Sequence, residues 1–205
     1  MLAFTFGIVS DRYDDKKALV RQEANAIRTA FKRSDFLSER DQAYTKQLLG
    51  EYVNKRIAAR KSQDIDSVRS SLPEYLEIQQ QLWEMAVANG KLDLNSDIGA
   101  LYLESLNEIE SIHASRITIG LNLRIPTGIW IVLLSLLILG MVAVGYHTAI
   151  AESRRSRVTP VLALSFSLVI ALIAALDHPG DNLVPVSQQP LTDLQTEMKA
   201  KGQIK

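Results

Sequence analysis

Helical periodicity dominates the first part of the chain. Between residues 10 and 124, apolar side chains recur at steps of three, four and seven residues, the spacing of one helix face. Pro73 is the only proline in this stretch, and no strand-like alternation stands out. The pattern predicts a polar domain of four helices: residues 12–34, a second helix opening at Ser38, residues 71–90 and residues 96–121, with a linker at 61–70.

Two long apolar runs follow the polar domain. Residues 125–151 and 158–176 carry no formal charge, and each is long enough to cross a hydrocarbon layer of ~30 Å. Trp130 and Tyr146 lie near the ends of the first run, where aromatic residues anchor spans at the membrane interface. A buried soluble helix is disfavoured because a second run follows after a short basic loop. The sequence therefore predicts a transmembrane hairpin over residues 125–176.

Small side chains recur every fourth residue in the second run, at Ala163, Ser167, Ala171 and Ala175. Such a face lets helix backbones approach closely in lipid. The pattern predicts a helix-packing face. It leaves open whether the partner helix lies in the same protomer, or whether the face forms a subunit interface or lines a pore.

The two ends of the chain form the remaining segments of its predicted domain organisation. Residues 1–9 are apolar but too few to span a bilayer, and they look like the remnant of a transmembrane helix. An apolar strap on a soluble domain is the alternative. Residues 10–124 form the polar domain, and residues 177–205 are a polar tail in which 191–198 could form a short amphipathic helix.

Composition and motifs limit the kinds of functional site that can be expected. The chain has no cysteine and a net charge of zero, and 35 of its 46 charged residues lie before residue 125. The balanced charge gives no sign of nucleic-acid binding. The three histidines have no partner at metal-ligand spacing, and no nucleophile or phosphate-loop motif appears. We therefore expect neither an enzyme nor a cofactor or metal site.

Two short polar segments interrupt the predicted apolar faces. Glu23 and Asn25 lie in the first helix, and His113 and Arg116 lie in the fourth. Both helices should be anchored at the same membrane face, and the two segments lie at similar heights along them. We predict that these four residues form one polar cluster. Ordinary interhelical hydrogen bonding is the alternative reading of both segments.

Nine short motifs occur in order along the chain, at residues 4–7, 12–14, 23–27, 52–56, 106–108, 113–116, 124–126, 177–179 and 186–191. Each motif is weak alone, but the ordered set covers nearly the whole chain. The set resembles the bestrophin-like domain family of bacterial and plant membrane proteins.

The resemblance carries expectations about architecture and function. Family members have two spans before the helical domain and two after it, which implies that this chain is truncated at its N-terminus. The family has no settled activity, and its name implies a distant likeness to bestrophins, which are oligomeric anion channels. We therefore expect an all-α integral membrane protein of the cell (inner) membrane, contacting the lipid bilayer and forming a homo-oligomer.

Two functions stay open at this point. The first is an oligomeric channel with a small anion as its ligand, an analogy at the level of the fold. The second is a membrane-anchored helical interaction module without transport. Basic residues on both sides of the spans leave the orientation ambiguous, and the bestrophin likeness favours a cytosolic polar domain.

Overall fold

The architecture was obtained as a computed structural model that describes residues 1–61, 69–92, 96–150, 158–177 and 185–200. Within these ranges the chain is helical and contains no strand, which confirms the predicted all-α class. The elements are α1 (Leu2–Arg33), a 3-10 turn (Ser34–Phe36), α2 (Glu39–Lys61), α3 (Leu72–Leu92), α4 (Asp97–Ile117), a π-helical turn (Thr118–Asn122), α5 (Thr127–Ile150), α6 (Val158–Asp177) and α7 (Gln189–Ala200).

Most of the predicted helix ends agree with the structure. Ser96 caps α4, because its hydroxyl accepts a hydrogen bond from the Gly99 amide at 3.1 Å. The first helix differs, since it begins at Leu2 rather than Arg12. The apolar residues 2–9 and the polar residues that follow contain no proline and no glycine beyond Gly7, so nothing interrupts the helix between them. The basic loop at 152–157 and most of the linker lie outside the described residues.

The chain forms two compact units, each discontinuous in sequence. The polar unit contains Asp15–Asn122 and the chain from Pro185 onward. The apolar unit contains Met1–Asp14 and Leu123–Val184. The structure thus joins the predicted tail from Pro185 onward to the polar unit, and it divides α1 between the two units.

The docking of α7 explains why the tail belongs to the polar unit. Its side chains Leu191, Leu194 and Met198 are buried in the core that α1 to α4 form. Polar contacts hold both flanks of this helix: Glu197 pairs with Arg28 of α1 at 3.0 Å, and Gln195 donates to Asn54 of α2 at 2.6 Å. The polar unit is therefore a bundle of four helices closed by a fifth.

The apolar unit contains the two predicted spans. By length and composition, Thr127–Ile150 and Pro160–Asp177 can both cross a membrane, with mean hydropathies of 2.5 and 2.2. A small core of Val9, Ile125 and Ile173 packs where these helices meet α1. Asp177 fixes the end of α6, because its Oδ1 accepts the Ile125 amide at 2.9 Å and lies 3.5 Å from the Arg12 guanidinium.

Candidate functional site: a buried carboxylate held by two arginines

Glu23 lies in the middle of α1 and is completely buried. Its neighbours on the same face, Val20, Ala24 and Ile27, belong to the hydrophobic core. Glutamate is almost never fully buried in a protein unless it is paired, because a lone charge loses its hydration. The buried Glu23 carboxylate therefore requires partners, and the residues around it form a candidate site.

Three helices supply partners to the carboxylate. From α2, the Tyr52 hydroxyl donates to Oε1 at 2.9 Å and the Arg56 Nε donates to the same atom at 2.8 Å. From α4, the Arg116 guanidinium donates to Oε2. We call these residues, together with His113, the Glu23 cluster. Every carboxylate oxygen is satisfied, and hydrogen bonds of this charge-assisted kind are the strong ones.

Arg56 links the carboxylate to His113. Its Nη2 contacts the His113 Nδ1 at 2.5 Å and the Tyr52 hydroxyl at 3.1 Å. A guanidinium can only donate, so His113 accepts at Nδ1 and carries its proton on Nε2. The Arg56 guanidinium also lies 4.5 Å from the centroid of the Tyr75 ring, within the range of a cation–π interaction.

The electrostatics of the cluster follow from burial and from these partners. Burial alone would raise the pKa of Glu23, but Arg116 and Arg56 together hold it below its usual range. Burial, followed by the positive charge of Arg56, lowers the pKa of His113 to about 4. At neutral pH the cluster thus contains one carboxylate, two guanidinium groups and a neutral imidazole.

The structure brings three of the four predicted cluster residues together and leaves the fourth apart. Glu23, His113 and Arg116 belong to one network. Asn25 is exposed, and its Oδ1 accepts a hydrogen bond from Arg28 at 3.0 Å. The physical reason is helix geometry, because two residues correspond to about 200° around the axis and place Asn25 opposite Glu23.

The structure adds Tyr52, Tyr75 and Arg56, which the sequence prediction missed. Arg56 lies between Val53 and Ile57, two residues of the apolar stripe of α2. An arginine on a buried stripe was the available signal, since such a charge requires a partner. Tyr52 lies one turn earlier on the same face and carries a hydroxyl to the same carboxylate.

The predicted small-residue face of α6 is largely uncovered in the single chain. Ala175 is buried and Ala163 is half-buried, while Ser167 and Ala171 are exposed. The α6 side chains that share an apolar cavity with α5 are larger: Leu162, Phe166 and Ile170. The helix that would pack on Ser167 and Ala171 therefore stays a prediction.

A second feature lies on the side of the polar unit where α3 and α4 pack. A groove of about 340 Å³ runs between these two helices, and its lining includes Leu76, Gln79 and Trp83 of α3 with Ile109 and Glu110 of α4. We call it the Gln79 groove. Neither the nitrogen nor the oxygen of the Gln79 carboxamide has a hydrogen-bond partner, although both atoms are buried.

In the part of the chain that the structure describes, no group of three histidine, aspartate or glutamate side chains is arranged to hold a metal ion. The Glu23 cluster offers one carboxylate that two cations already saturate. Its chemistry is that of a fixed, charge-assisted hydrogen-bond network.

These observations define a class: an all-helical protein with two helices that can span a membrane and a polar helical unit organised around a buried ion cluster. The model of the Bestrophin-like domain family matches residues 1–191, which is nearly the whole chain. The chain belongs to this family. No curated protein and no solved structure matches it.

Proposed function

We propose that the protein is an oligomeric integral membrane protein whose hairpins assemble around an anion-conducting path. The observation that carries the proposal is the exposed polar and small face of α6, where Ser167 and Ala171 have no covering helix among the described residues. The two spans among the described residues are too few to enclose a path, so helices of other copies have to contribute. Family membership supports a membrane protein of this kind.

Charge favours an anion as the conducted ion. The described parts of α5 and α6 contain no acidic residue before Asp177, at the end of α6. In the sequence, the connection between them carries Arg154, Arg155 and Arg157 against one glutamate. Basic residues at the mouth of a pore raise the local concentration of anions and disfavour cations.

The second candidate is a membrane-anchored interaction module without transport. The Gln79 groove favours it, because a concave surface lined by apolar side chains and a few polar ones is typical of binding sites. The two candidates differ in what the spans do. A channel needs an assembly of hairpins with a wet path, whereas a module needs only an anchor.

Oligomeric state and anion flux test the proposal. We expect the chain in mild detergent to have the mass of several copies by light scattering, and to release chloride from loaded vesicles after reconstitution. Ala171→Leu should disturb both properties, while Ala143→Leu, the same change at an exposed position of α5, should disturb neither. A monomer without flux would overturn the channel. An oligomer without flux would leave the module as the better account.

A further inference from the structure

The hairpin of the apolar unit carries an open groove that no described segment fills. It is a cavity of about 560 Å³ between α5 and α6, bordered by residues 1–3 of α1. Every lining side chain is apolar, so water would find no hydrogen-bond partners there. Because α5 and α6 can both span a membrane, its occupant is apolar as well. We call it the hairpin groove, and its lining includes Leu137, Gly140, Met141, Leu162, Phe166 and Ile170.

Gly140 leaves room in one wall of the hairpin groove. A Cβ atom added at this position would meet no other atom within 4 Å, so nothing inside the chain requires a glycine here. A glycine inside a helix is destabilising relative to alanine. In membrane helices, small residues are typical of places where a second helix backbone approaches closely. At the wall of a groove, this glycine therefore favours a helix over a lipid chain as the occupant.

The same unit carries a surface of complementary shape, the small-residue face of α6. Ser167 and Ala171 are exposed and Ala163 is half-buried. The Ser167 hydroxyl donates to the Ala163 carbonyl oxygen at 2.8 Å, so it needs no partner from outside and can enter a dry contact. Large side chains line the hairpin groove and small ones form this face, so a helix backbone that presents the face could enter the groove closely.

The hairpin groove and the small-residue face lie at the same depth. Residues 162–170 of α6 line the groove, and residues 163–171 carry the face, an offset of about 1.5 Å along the helix. Copies related by rotation about the membrane normal keep every residue at one depth, so only surfaces of equal depth can meet. Consecutive residues lie about 100° apart around a helix, so the two surfaces also point in different directions.

We propose that the small-residue face of one copy packs into the hairpin groove of the next copy. This inference rests on the assembly of hairpins proposed above, and it names the two surfaces that join them. The occupant is a second copy of this chain, since that copy supplies a helix of matching shape, polarity and depth. Because the two surfaces differ, the contact is head-to-tail, and contacts of this kind form a ring when the rotation between copies closes.

Cysteine crosslinking tests the contact, because the chain contains no cysteine of its own. Copies with Leu137→Cys or Met141→Cys in the groove are co-expressed with differently tagged copies that carry Ser167→Cys. We expect oxidation in membranes to join the two kinds of copy, since a disulfide requires Cβ atoms about 3.5–4.5 Å apart. Val142→Cys, exposed on α5 outside the groove, is the control partner and should not crosslink to Ser167→Cys.

Filling the groove provides a second test. Gly140→Leu has room for its Cβ atom in the single chain, but it occupies space that the helix of the next copy requires. The dissociation constant of the oligomer, measured by light scattering on dilution in detergent, should therefore rise about tenfold or more. Helix content by circular dichroism should stay the same. Gly145→Leu, at another open glycine of α5 that does not line the groove, is the matched control and should change neither property.

The outcomes distinguish this inference from the channel proposal. An oligomer that releases chloride but shows no crosslink at either groove position overturns the head-to-tail contact and leaves the channel standing. Crosslinking of Ser167→Cys only to itself would mean that small-residue faces meet each other. An unchanged oligomer in Gly140→Leu would mean that lipid or another helix fills the groove. Crosslinking without chloride flux supports the contact and counts against the channel, and a monomer overturns both.

Discussion

The two units of the chain differ in where they place charged side chains. The polar unit buries Glu23 at its centre between Arg56 and Arg116. The side chains of Glu23 and Arg56 are almost inaccessible to water. The described spans of the apolar unit carry no charge before Asp177 and present large apolar side chains outward, including Ile138 and Leu139 at 62% and 64% exposure. In water, burial of apolar surface is strong enough to hold a paired charge inside. In the hydrocarbon core of a membrane a charged side chain is costly, so the spans exclude charge.

The largest expected effect comes from removing the central carboxylate. Glu23→Ala leaves Arg56 and Arg116 facing each other without an anion, and breaking one partner of a buried pair costs ~3–5 kcal/mol. A melting curve in detergent should show a marked loss of stability. Asn25→Ala, two residues away on the exposed face, should change stability by less than about 0.5 kcal/mol. If the two changes destabilised the protein equally, the buried charge of Glu23 would not be the cause of the loss.

A double-mutant cycle tests directly whether Glu23 and Arg116 interact. Arg116→Ala should cost less than Glu23→Ala, because the side chain of Arg116 is 20% exposed and that of Glu23 is not exposed at all. The double mutant should cost less than the sum of the single changes, since the two groups interact directly. Strict additivity would contradict the ion pair.

The next-largest expected effect comes from placing a charge in one of the spans. Ile138→Arg places a charge near the centre of α5, on a side chain that is 62% exposed, and insertion of arginine at such a position costs ~2.5–3.5 kcal/mol. We expect less protein to resist extraction of membranes by alkaline carbonate. Ile98→Arg, at an exposed position of α4 in the polar unit, is the control and should leave extraction unchanged. Equal behaviour would show that α5 does not cross the membrane.

A moderate effect is expected at the small-residue face. Ala171→Leu adds volume where we predict close helix packing, and overpacking costs ~1–3 kcal/mol. Because Ala171 is exposed in the single chain, the effect should appear in the oligomer distribution more than in the fold of the monomer. An unchanged melting temperature together with an unchanged oligomer distribution would show that lipid alone covers this face.

The smallest effect is a dependence of stability on pH in the polar unit. His113 has a folded pKa of about 4 against an ordinary value of 6.5, so the unfolded chain binds a proton more readily. The stabilisation is complete above the ordinary pKa and is lost as pH falls towards 4. The groups that face this ring are Arg56, Glu23, Arg116 and Tyr75.

Replacing the imidazole isolates that contribution. His113→Asn keeps an acceptor for Arg56 but does not titrate, so the melting temperature should depend less on pH between about 4 and 6.5. Glu23 contributes in the same direction but at lower pH, because its pKa is lowered from 4.5. An identical pH profile for the wild type and His113→Asn would show that folding does not shift the pKa of His113.

The two units also differ in how much of their structure the sequence could predict. The spans were predictable because each is a long, mostly apolar run without a charged residue before Asp177, so the signal is local and repeated. The pairing of Glu23 with Arg116 could be inferred from two anchored helices, but the contribution of Arg56 required the register of α2 against α1. The amphipathic pattern of residues 191–198 predicted a helix but not the place where α7 docks, since contacting residues such as Arg28 and Glu197 lie 169 residues apart.

The position of α7 in the chain has a consequence for biosynthesis. The groove that it closes is built from α1 and α2, yet α7 begins at Gln189, after both spans have been made. At roughly 5–20 residues per second, the ribosome needs several seconds to travel from Asn122 to Gln189. During that interval the bundle exposes the apolar surface that Leu191, Leu194 and Met198 later cover. A nascent chain is thus more vulnerable to aggregation and proteolysis while its spans are being made, and the docking of α7 then covers this apolar surface.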